Sequence, residues 1–242
     1  MNLNIVMPLC GEGYRFKEGG YGIPKPLLPV HAQKTMVQCA LERLSISGNF
    51  IFVVRKEHVD VFQIDHHLRQ IKCDANIIIS PSTKGALCTV LQAERFIDCD
   101  DALLICDVDQ ILEYDLNIFL NKMKKQAADG GILTFKSKDP RYSYSKINRR
   151  GYVEKVAEKK VIGEEASAGI YYFKSGQVFL KYAKELMRRN LQEKGEYYIS
   201  PIYNLYIQDG RKVYTHLISK ELIHDVGTPE ALKSYQETIS NA

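Results

Sequence analysis

The sequence predicts an α/β fold in which a single domain is built around one mixed sheet. Three observations predict it. Short apolar runs alternate with helical segments through the first half, the second half changes to several strand-like stretches, and no Pro/Ser-rich linker, low-complexity segment or repeat divides the chain. Alternating strands and helices are typical of parallel βαβ units. A chain of 242 residues can bury a core without disulfides or metal ions to hold it.

Four predicted strands alternate with three predicted helices in the first half of the chain. The strands cover 4–8, 49–54, 75–80 and 102–106, and the helices cover 34–44, 57–71 and 85–96. The strands are short and mostly apolar, and the one over 49–54 is β-branched and aromatic. The first helix has Met36, Val37, Ala40 and Leu44 on one face. We therefore expect a parallel, doubly wound arrangement.

The second half has a different pattern, in which strands follow one another more closely. Strands are predicted over 131–135, 152–157, 168–173, 212–217 and 222–224, and helices over 116–126, 176–189, 200–208 and 229–239. Consecutive strands are typical of antiparallel or mixed pairing. We expect this half to extend the first, giving one compact domain with two functional lobes.

Charge and composition exclude several classes of protein. Lys and Arg total 33 against 29 for Asp and Glu, and the net charge of +4 is too small to indicate a nucleic-acid binder. The apolar runs are too short to span a bilayer, and the N-terminus does not resemble a signal peptide. The six cysteines form no C-x-x-C pair. They are typical of reduced thiols, so we expect a cytoplasmic protein that has no membrane partner.

The most informative segment is the glycine-rich stretch over 9–30. Gly11 and Gly13 follow the first strand, where backbone N–H groups can meet phosphate oxygens. Arg15 adds a forked donor for phosphate, and Lys25 stands between two prolines that restrict its backbone. The segment has neither the third glycine of the dinucleotide fingerprint nor the G-x-x-x-x-G-K-[ST] pattern of a P-loop. From the glycines alone, an ordinary turn remains an equal alternative.

This segment resembles the signature of the sugar-phosphate nucleotidylyltransferases, G-x-G-[TS]-R followed by P-K-P-L-x-P-V. Later segments resemble the same family in the same order, at 83–86 (T-K-G-A), 103–110 (ending D-V-D-Q), 156–159 (V-A-E-K), 167–171 (S-A-G-I-Y) and 223–230 (I-H-D-V-G-T-P-E). The subgroup from bacterial capsule and surface-polysaccharide gene clusters is the most similar. The resemblance implies a GT-A-like, Rossmann-like nucleotidyltransferase fold, with a nucleotide-binding lobe over about 1–115 and an acceptor-binding lobe over about 116–242.

The resemblance also implies roles for particular residues. Those residues are Arg15 and Lys25 for catalysis, Leu9, Gly11, Gly13, Lys84 and Gly85 for the nucleotide, Lys159 and Gly169 for the acceptor, and Asp109 and Asp225 for a metal ion. Carboxylate oxygens suit Mg²⁺, which we expect as the cofactor. The sequence leaves open whether Asp107 joins Asp109 and whether Lys155 replaces Lys159. Tyrosines 142, 144, 197 and 198 could equally line an acceptor pocket or pack in the core.

The implied reaction joins a nucleoside triphosphate to a phosphorylated acceptor and releases pyrophosphate. The triphosphate carries about four negative charges and a phosphomonoester about two, so cations are needed to bring them together. We expect a sugar 1-phosphate or another small phosphorylated metabolite as acceptor, for capsule or surface polysaccharide. The loop over 83–86 differs from the Q-P-x-G-T-A motif of many enzymes in the family, and this difference favours CTP. The sequence does not decide whether the protein forms a homodimer.

Three other functions share some of these features. A glycosyltransferase of the same fold would use the D-x-D pattern at Asp107 and Asp109 on a nucleotide-sugar, without needing Arg15 or Lys25. A phosphatase would place D-x-D after its first strand, whereas here the pattern follows the fourth predicted strand. A nucleotide-binding sensor would keep the glycine-rich loop. None of the three would form pyrophosphate.

Overall fold

A nine-stranded mixed sheet forms the centre of the fold in the computed structural model, which describes residues 2–32 and 34–240. The strands are β1 (Leu3–Leu9), β2 (Pro29–His31), β3 (Lys34–Thr35), β4 (Asn49–Arg55), β5 (Asn76–Ser80), β6 (Ala102–Cys106), β7 (Gln110–Leu112), β8 (Gly130–Lys136), β9 (Tyr144–Ile147), β10 (Val153–Ala157), β11 (Glu165–Phe173), β12 (Val213–Ile218) and β13 (Ile223–Asp225). Two short pairs, β2 with β3 and β7 with β13, lie outside the main sheet. The predicted single-domain α/β class is confirmed.

Helices cover both faces of this sheet. They are α1 (Tyr14–Glu18), α2 (Met36–Leu44), α3 (Lys56–Phe62), α4 (Ile64–Ile71), α5 (Ala86–Leu91), α6 (Glu94–Ile97), α7 (Leu116–Lys125), α8 (Gly176–Arg188), α9 (Ile202–Gln208) and α10 (Pro229–Ser240), with 3₁₀ turns at Lys25–Leu27 and Lys220–Leu222. Within the described residues, no helix is both long enough and apolar enough to cross a bilayer. All six cysteines are free thiols.

The first half forms the parallel part of the sheet, as predicted. Strands β6, β1, β4 and β5 lie side by side and pair in parallel. Successive side chains of β1 point to opposite faces, so Ile5 and Met7 join one core cluster and Val6 joins the other. Burial on both faces explains why these strands are almost continuously apolar. Their carboxyl ends lie at one edge of the sheet.

The second half adds antiparallel strands, and β11 connects them to the parallel part. Strand β11 pairs antiparallel with β8 along one side, and with β9 and then β6 along the other. Its register shifts between Ser167 and Tyr171, where Gly169 adopts a φ of +70°. Such a bulge bends a strand. Here it brings Gly169 against the end of β6, where its carbonyl accepts a 2.8 Å hydrogen bond from the N–H of Asp107.

Two predicted helices prove to be pairs of shorter helices. The helix predicted over 57–71 breaks at Gln63, whose φ is +51°. This break turns α4 so that Ile64 and Leu68 are fully buried in the core. The helix predicted over 85–96 breaks after Leu91, where Gln92 and Ala93 donate to carbonyls three residues back. Both single-helix predictions were wrong because an apolar periodicity continues across a break that tertiary packing imposes.

Several short elements were missing from the prediction. These are β2, β3, β7, β9 and α1. Each has five residues or fewer, which is too short for a periodicity to be visible. The strand β7 matters most, because Gln110 of β7 pairs with Asp225 of β13.

Candidate active site

Two adjoining cavities open at the carboxyl ends of the parallel strands. The loop cavity, of about 760 Å³, is lined by residues of 10–16 and 82–86. The carboxylate cavity, of about 290 Å³, is lined by residues of 107–110 and 141–143 and by Asp225. Both are also lined by Arg15, Lys25, Asp107 and Tyr198. A ligand could therefore reach from one cavity into the other.

The glycine-rich loop shapes one wall of the loop cavity. Gly13 has a φ of +63°, and a Cβ on it would lie 3.1 Å from the Cβ of Lys25. A glycine is needed here because both the left-handed backbone and the close approach disfavour a side chain. A Cβ on Gly11 would meet nothing within 4 Å, so this glycine leaves open space facing the cavity. The loop therefore leaves room for a ligand to approach its backbone.

Lys25 is held by the prolines on either side of it. Pro24 and Pro26 are buried, and Lys25 begins a 3₁₀ turn in which the N–H of Leu27 donates to the Pro24 carbonyl. From this turn the Lys25 Nζ lies 2.5 Å from Oδ2 of Asp109. Desolvation opposes ionisation of Asp109, but the charge and the hydrogen bond of Lys25, together with a backbone hydrogen bond and the charge of Arg15, outweigh it and lower the pKa of that carboxyl. The site therefore holds a fixed cation against a carboxylate.

The loop around Lys84 and Gly85 is fixed by the segment that precedes α9. The N–H of Tyr197 donates to the Lys84 carbonyl at 2.9 Å, and the N–H of Leu87 donates to the Tyr197 carbonyl at 3.0 Å. Gly85 has a φ of +101°, and a Cβ there would lie 2.5 Å from the carbonyl oxygen of Tyr197. Only glycine allows the two segments to come this close.

Asp109 and Asp225 meet across the short pair of β7 and β13. The N–H of Val226 donates to the Asp109 carbonyl at 2.9 Å. A Cβ on Gly227 would lie 2.8 Å from Oδ2 of Asp109 and 3.0 Å from Oδ1 of Asp225, so both oxygens border the same small space. Two carboxylates suit Mg²⁺, which takes its remaining ligands from water and substrate. No group of three or more His, Cys, Asp or Glu ligands occurs in the described part of the chain. The two aspartates fit a shared metal and nucleotide site.

The second oxygen of Asp225 is held by two donors. The Tyr142 hydroxyl donates to Oδ2 at 2.8 Å, and Nη2 of Arg141 lies 3.3 Å from the same oxygen. Arg141 is in turn anchored to Asp139, with Nε and Nη2 at 2.8 and 2.7 Å from Oδ2. Its hydrogen bond lowers the pKa of Asp139. Burial, and then the charge of Asp225, raise the pKa of Tyr142, so its hydroxyl remains a donor.

Asp107 lies at the end of β6 between the two cavities. A Cβ on Gly169 would be 2.9 Å from the Cβ of Asp107, which explains why β11 has a glycine there. Desolvation, and then the charge of Asp109, raise the pKa of Asp107 to about 8. The two carboxyl groups therefore have different surroundings, since the Lys25 ammonium is hydrogen-bonded to Asp109.

Lys159 enters the carboxylate cavity from a left-handed turn after β10. Its φ is +51°, which is uncommon for a residue with a side chain and places its ammonium beside the Tyr198 hydroxyl. The same ammonium lies 4.3 Å from the centre of the Tyr198 ring. Next to it, Glu158 accepts a 2.9 Å hydrogen bond from Ser200, and burial raises the pKa of Glu158.

Most of the predicted site residues line these cavities. Arg15, Lys25, Gly11, Gly13, Lys84 and Gly85 line the loop cavity, and Lys159, Gly169, Asp109 and Asp225 line the carboxylate cavity. Leu9 lines neither, because its side chain is 2 % exposed and packs in the core. Any contact of Leu9 with a nucleotide would have to come from its backbone.

The structure also separates residues that the sequence left open. Lys155 lines another cavity, between β10 and the segment around α9, whereas Lys159 reaches the site. Tyr142 and Tyr198 line the carboxylate cavity, but Tyr144 and Tyr197 are buried. The sequence assigned no role to the lining residues Arg141, Glu158 and Gln110. Glu158 and Gln110 had a signal, since Glu158 precedes Lys159 in the V-A-E-K segment and Gln110 ends the D-V-D-Q segment, whereas Arg141 had none.

Comparison with known proteins identifies the family. A profile of the family described as nucleotidyl transferase matches residues 4–242, almost the whole chain. The chain belongs to this family. The bifunctional protein GlmU of Pseudomonas fluorescens (strain Pf0-1) is 25% identical over 225 residues, which are 89% of this chain and 46% of GlmU. This nucleotidyl transferase therefore spans about half the length of that curated relative.

Solved structures share the fold over their full length. The nucleoside-diphosphate-sugar pyrophosphorylase from Vibrio cholerae RC9 superposes with a TM-score of 0.79 at 25% identity, covering 96% of this chain and 99% of that one. A UDP-glucose pyrophosphorylase, solved with UDP-glucose, gives a TM-score of 0.77 at 16% identity, covering 100% of this chain and 99% of that one. At 16% identity the second similarity shows the fold alone.

Proposed function

We propose that this nucleotidyl transferase joins a nucleoside triphosphate to a sugar 1-phosphate or another small phosphorylated metabolite and releases pyrophosphate. One observation carries the proposal. The cations of Arg15, Lys25 and Lys159 and the carboxylates of Asp109 and Asp225 line one cavity, which is continuous with the loop cavity. The Vibrio cholerae structure is a nucleoside-diphosphate-sugar pyrophosphorylase by name, which supports the same class of reaction.

The proposed step is a displacement at the α-phosphorus. An oxygen of the acceptor phosphate forms the new bond, the bond from the α-phosphorus to the oxygen that leads to the β-phosphorus breaks, and its electron pair leaves with pyrophosphate. The acceptor oxygen is already ionised, so the step needs no general base. Arg15 and Lys25 would neutralise the triphosphate, and Lys159 would hold the acceptor phosphate. Catalysis then consists of positioning and charge stabilisation.

Asp109 and Asp225 would hold the divalent cation, which we propose to be Mg²⁺. When bound, it would supply positive charge between the two phosphate groups. The Lys25 ammonium, now on Oδ2 of Asp109, would then be free to contact phosphate. In this proposal, residues of about 1–115 bind the nucleotide and residues of about 116–242 bind the acceptor.

The base and the biological role are finer proposals. The proposal of CTP as the donor rests on the difference between the loop over 83–86 and the family's Q-P-x-G-T-A motif. A role in capsule or surface-polysaccharide synthesis rests on the subgroup that the sequence resembles, and a homodimer remains open. The UDP-glucose in the complex with the pyrophosphorylase makes UTP the obvious competitor of CTP.

Thermal unfolding with each of the four NTPs, with and without Mg²⁺, tests the donor. At a concentration of about 100 times Kd, a ligand raises the free energy of unfolding by about 2.7 kcal/mol. For a chain of this size that raises Tm by about 5–10 °C. We expect one NTP to give this shift, enhanced by Mg²⁺, and the same NTP to yield pyrophosphate with a sugar 1-phosphate. CTP is the expected NTP.

Other outcomes would contradict the proposal at different levels. A shift with UTP alone would overturn only the base. A shift with a nucleotide-sugar and with no NTP would instead support the glycosyltransferase. An NTP-induced shift without pyrophosphate from any phosphorylated acceptor would support a nucleotide sensor.

A further inference from the structure

The carboxylate of Asp225 has two oxygens in different surroundings. Its Oδ2 accepts the hydrogen bond of the Tyr142 hydroxyl at 2.8 Å and lies 3.3 Å from Arg141. Its Oδ1 accepts from the N–H of Gly227 at 2.8 Å and borders the space that it shares with Asp109. The donors on both oxygens together fix which oxygen faces Asp109, and the side-chain donors are those on Oδ2.

We propose that Tyr142 is a positioning residue for the divalent cation: its hydroxyl fixes the Asp225 carboxylate so that Oδ1 faces Asp109. The inference rests on the proposed function, because it assumes that these two aspartates hold the metal ion. Side chains that bind the outer oxygen of a metal ligand fix the ligand's orientation, and their loss typically weakens metal binding by 10–100-fold.

Tyr142 is a better test of this idea than its neighbour Arg141. Arg141 carries a positive charge close to Asp225, so its removal would relieve repulsion of a cation while loosening the carboxylate. These two effects oppose each other. The Tyr142 hydroxyl is neutral, so its removal changes orientation alone.

The phenol ring of Tyr142 has a separate structural role. It packs edge-on against Phe135, with ring centres 5.2 Å apart and an angle of 80° between the planes. The Tyr142→Phe variant keeps this ring packing and removes only the hydroxyl. A matched control is Tyr182→Phe, since the Tyr182 hydroxyl on α8 also donates to an aspartate, Asp209, at 2.6 Å, away from both cavities.

The test is a titration of the purified protein with Mn²⁺, in which electron paramagnetic resonance measures free Mn²⁺ without nucleotide or turnover. Tyr142→Phe should bind Mn²⁺ about 10–100-fold more weakly than the unmodified protein. Tyr182→Phe should bind Mn²⁺ as the unmodified protein does. Thermal unfolding of both variants shows whether they are folded to the same extent.

An Asp225→Asn variant separates failure of this inference from failure of the proposed site. If Asp225→Asn weakens Mn²⁺ binding and Tyr142→Phe does not, the positioning role of Tyr142 is wrong and the metal site stands. If Mn²⁺ does not bind the unmodified protein without nucleotide, this inference fails, because the two aspartates then do not hold the cation by themselves. If Mn²⁺ binds equally to the unmodified protein and to Asp225→Asn, the metal site of the proposed function is itself overturned. Equal weakening in Tyr182→Phe would show a loss of folded structure and would also contradict the role of Tyr142.

Discussion

At the scale of single residues, Lys25 shows how local sequence can determine a functional geometry. Two prolines fix its backbone, and the turn they form aims the side chain at Asp109. Because proline restricts φ whatever the tertiary context, the four residues 24–27 alone determine this part of the site. Lys25 could therefore be identified as a fixed cation from its neighbours in the sequence.

Replacing Lys25 by Met should abolish most of the activity without unfolding the protein. Removing one charged group that acts on the transition state costs roughly 10²–10³-fold in rate. We expect a loss of this size in pyrophosphate release, with a lower Tm because Asp109 loses its partner, but with the protein still folded because both side chains are partly exposed. Lys56→Met is the control, since Lys56 pairs with Asp60 on exposed α3. A Lys25→Met variant with rates within a few-fold of the unmodified protein would remove Lys25 from the mechanism.

Asp107, in contrast to Lys25, could not be assigned a role from its neighbours in the sequence. Its role depends on the environment at the end of β6, where desolvation and Asp109 raise its pKa to about 8. A D-x-D pattern shows two carboxyl groups but not that their surroundings differ. In the structure, Asp109 is paired with Lys25, whereas Asp107 lies against Gly169 at the end of β6.

At the scale of elements, the loop over 82–86 depends on a contact that is distant in sequence. Reciprocal backbone hydrogen bonds join Lys84 and Leu87 to Tyr197, and Gly85 permits their close approach. The loop that we assign to the nucleotide base is thus attached to the segment that carries Tyr198. Rigid backbone contacts of this kind are what hold a binding loop in one shape.

The Gly85→Ala variant should test this attachment. The φ of +101° and a Cβ 2.5 Å from the Tyr197 oxygen both oppose alanine. Backbone strain of this kind costs on the order of 1–3 kcal/mol, and each kcal/mol lowers Tm by about 2–4 °C in a chain of this size. We expect a lower Tm and a smaller NTP-induced shift than in the unmodified protein, both measured by thermal unfolding.

Gly151→Ala provides the matched control for this prediction. Gly151 has a φ of +81°, but a Cβ on it would meet nothing within 4 Å, so alanine there adds the backbone strain without the clash. It should lower Tm less and leave the NTP-induced shift intact. Equal effects of the two variants would show that the contact with Tyr197 does not matter.

At the scale of the whole molecule, the pH dependence of stability reports on buried histidines. Burial lowers the pKa of His58, His67 and His216 below the ordinary value of 6.5. Arg55 and Lys17 lower the pKa of His58 further, whereas Glu57 opposes them. Below pH 6.5 the unfolded chain binds protons that these histidines do not bind in the folded state. Stability should therefore fall as the pH decreases from 6.5.

The His58→Gln variant should reduce this dependence. Each such histidine contributes at most about 1.4 kcal/mol per pH unit to the free energy of unfolding. We expect the Tm of the unmodified protein to decrease more steeply than that of His58→Gln between pH 6.5 and about 5, with parallel profiles above pH 7 where both states are neutral. Identical profiles throughout would show that His58 does not remain neutral in the folded protein.

The sequence alone determined the features that depend on neighbouring residues. Apolar runs predicted the four parallel strands, and the glycines and prolines over 9–30 predicted the loop and the Lys25 cation. These predictions succeeded because strand propensity, proline restriction and glycine freedom act over a few residues. The family resemblance then gave eleven candidate site residues, and all of them except Leu9 line the two cavities.

Only the tertiary structure decided which distant side chains meet. Asp225 reaches Asp109 because β13 pairs with β7. Tyr142 reaches Asp225 from the bend that precedes β9, more than eighty residues earlier in the chain. It also decided that Lys159, and not Lys155, enters the site, through a left-handed turn that no periodicity reveals. Pairing between remote strands depends on the packing of the whole core, so it leaves no local pattern in the sequence.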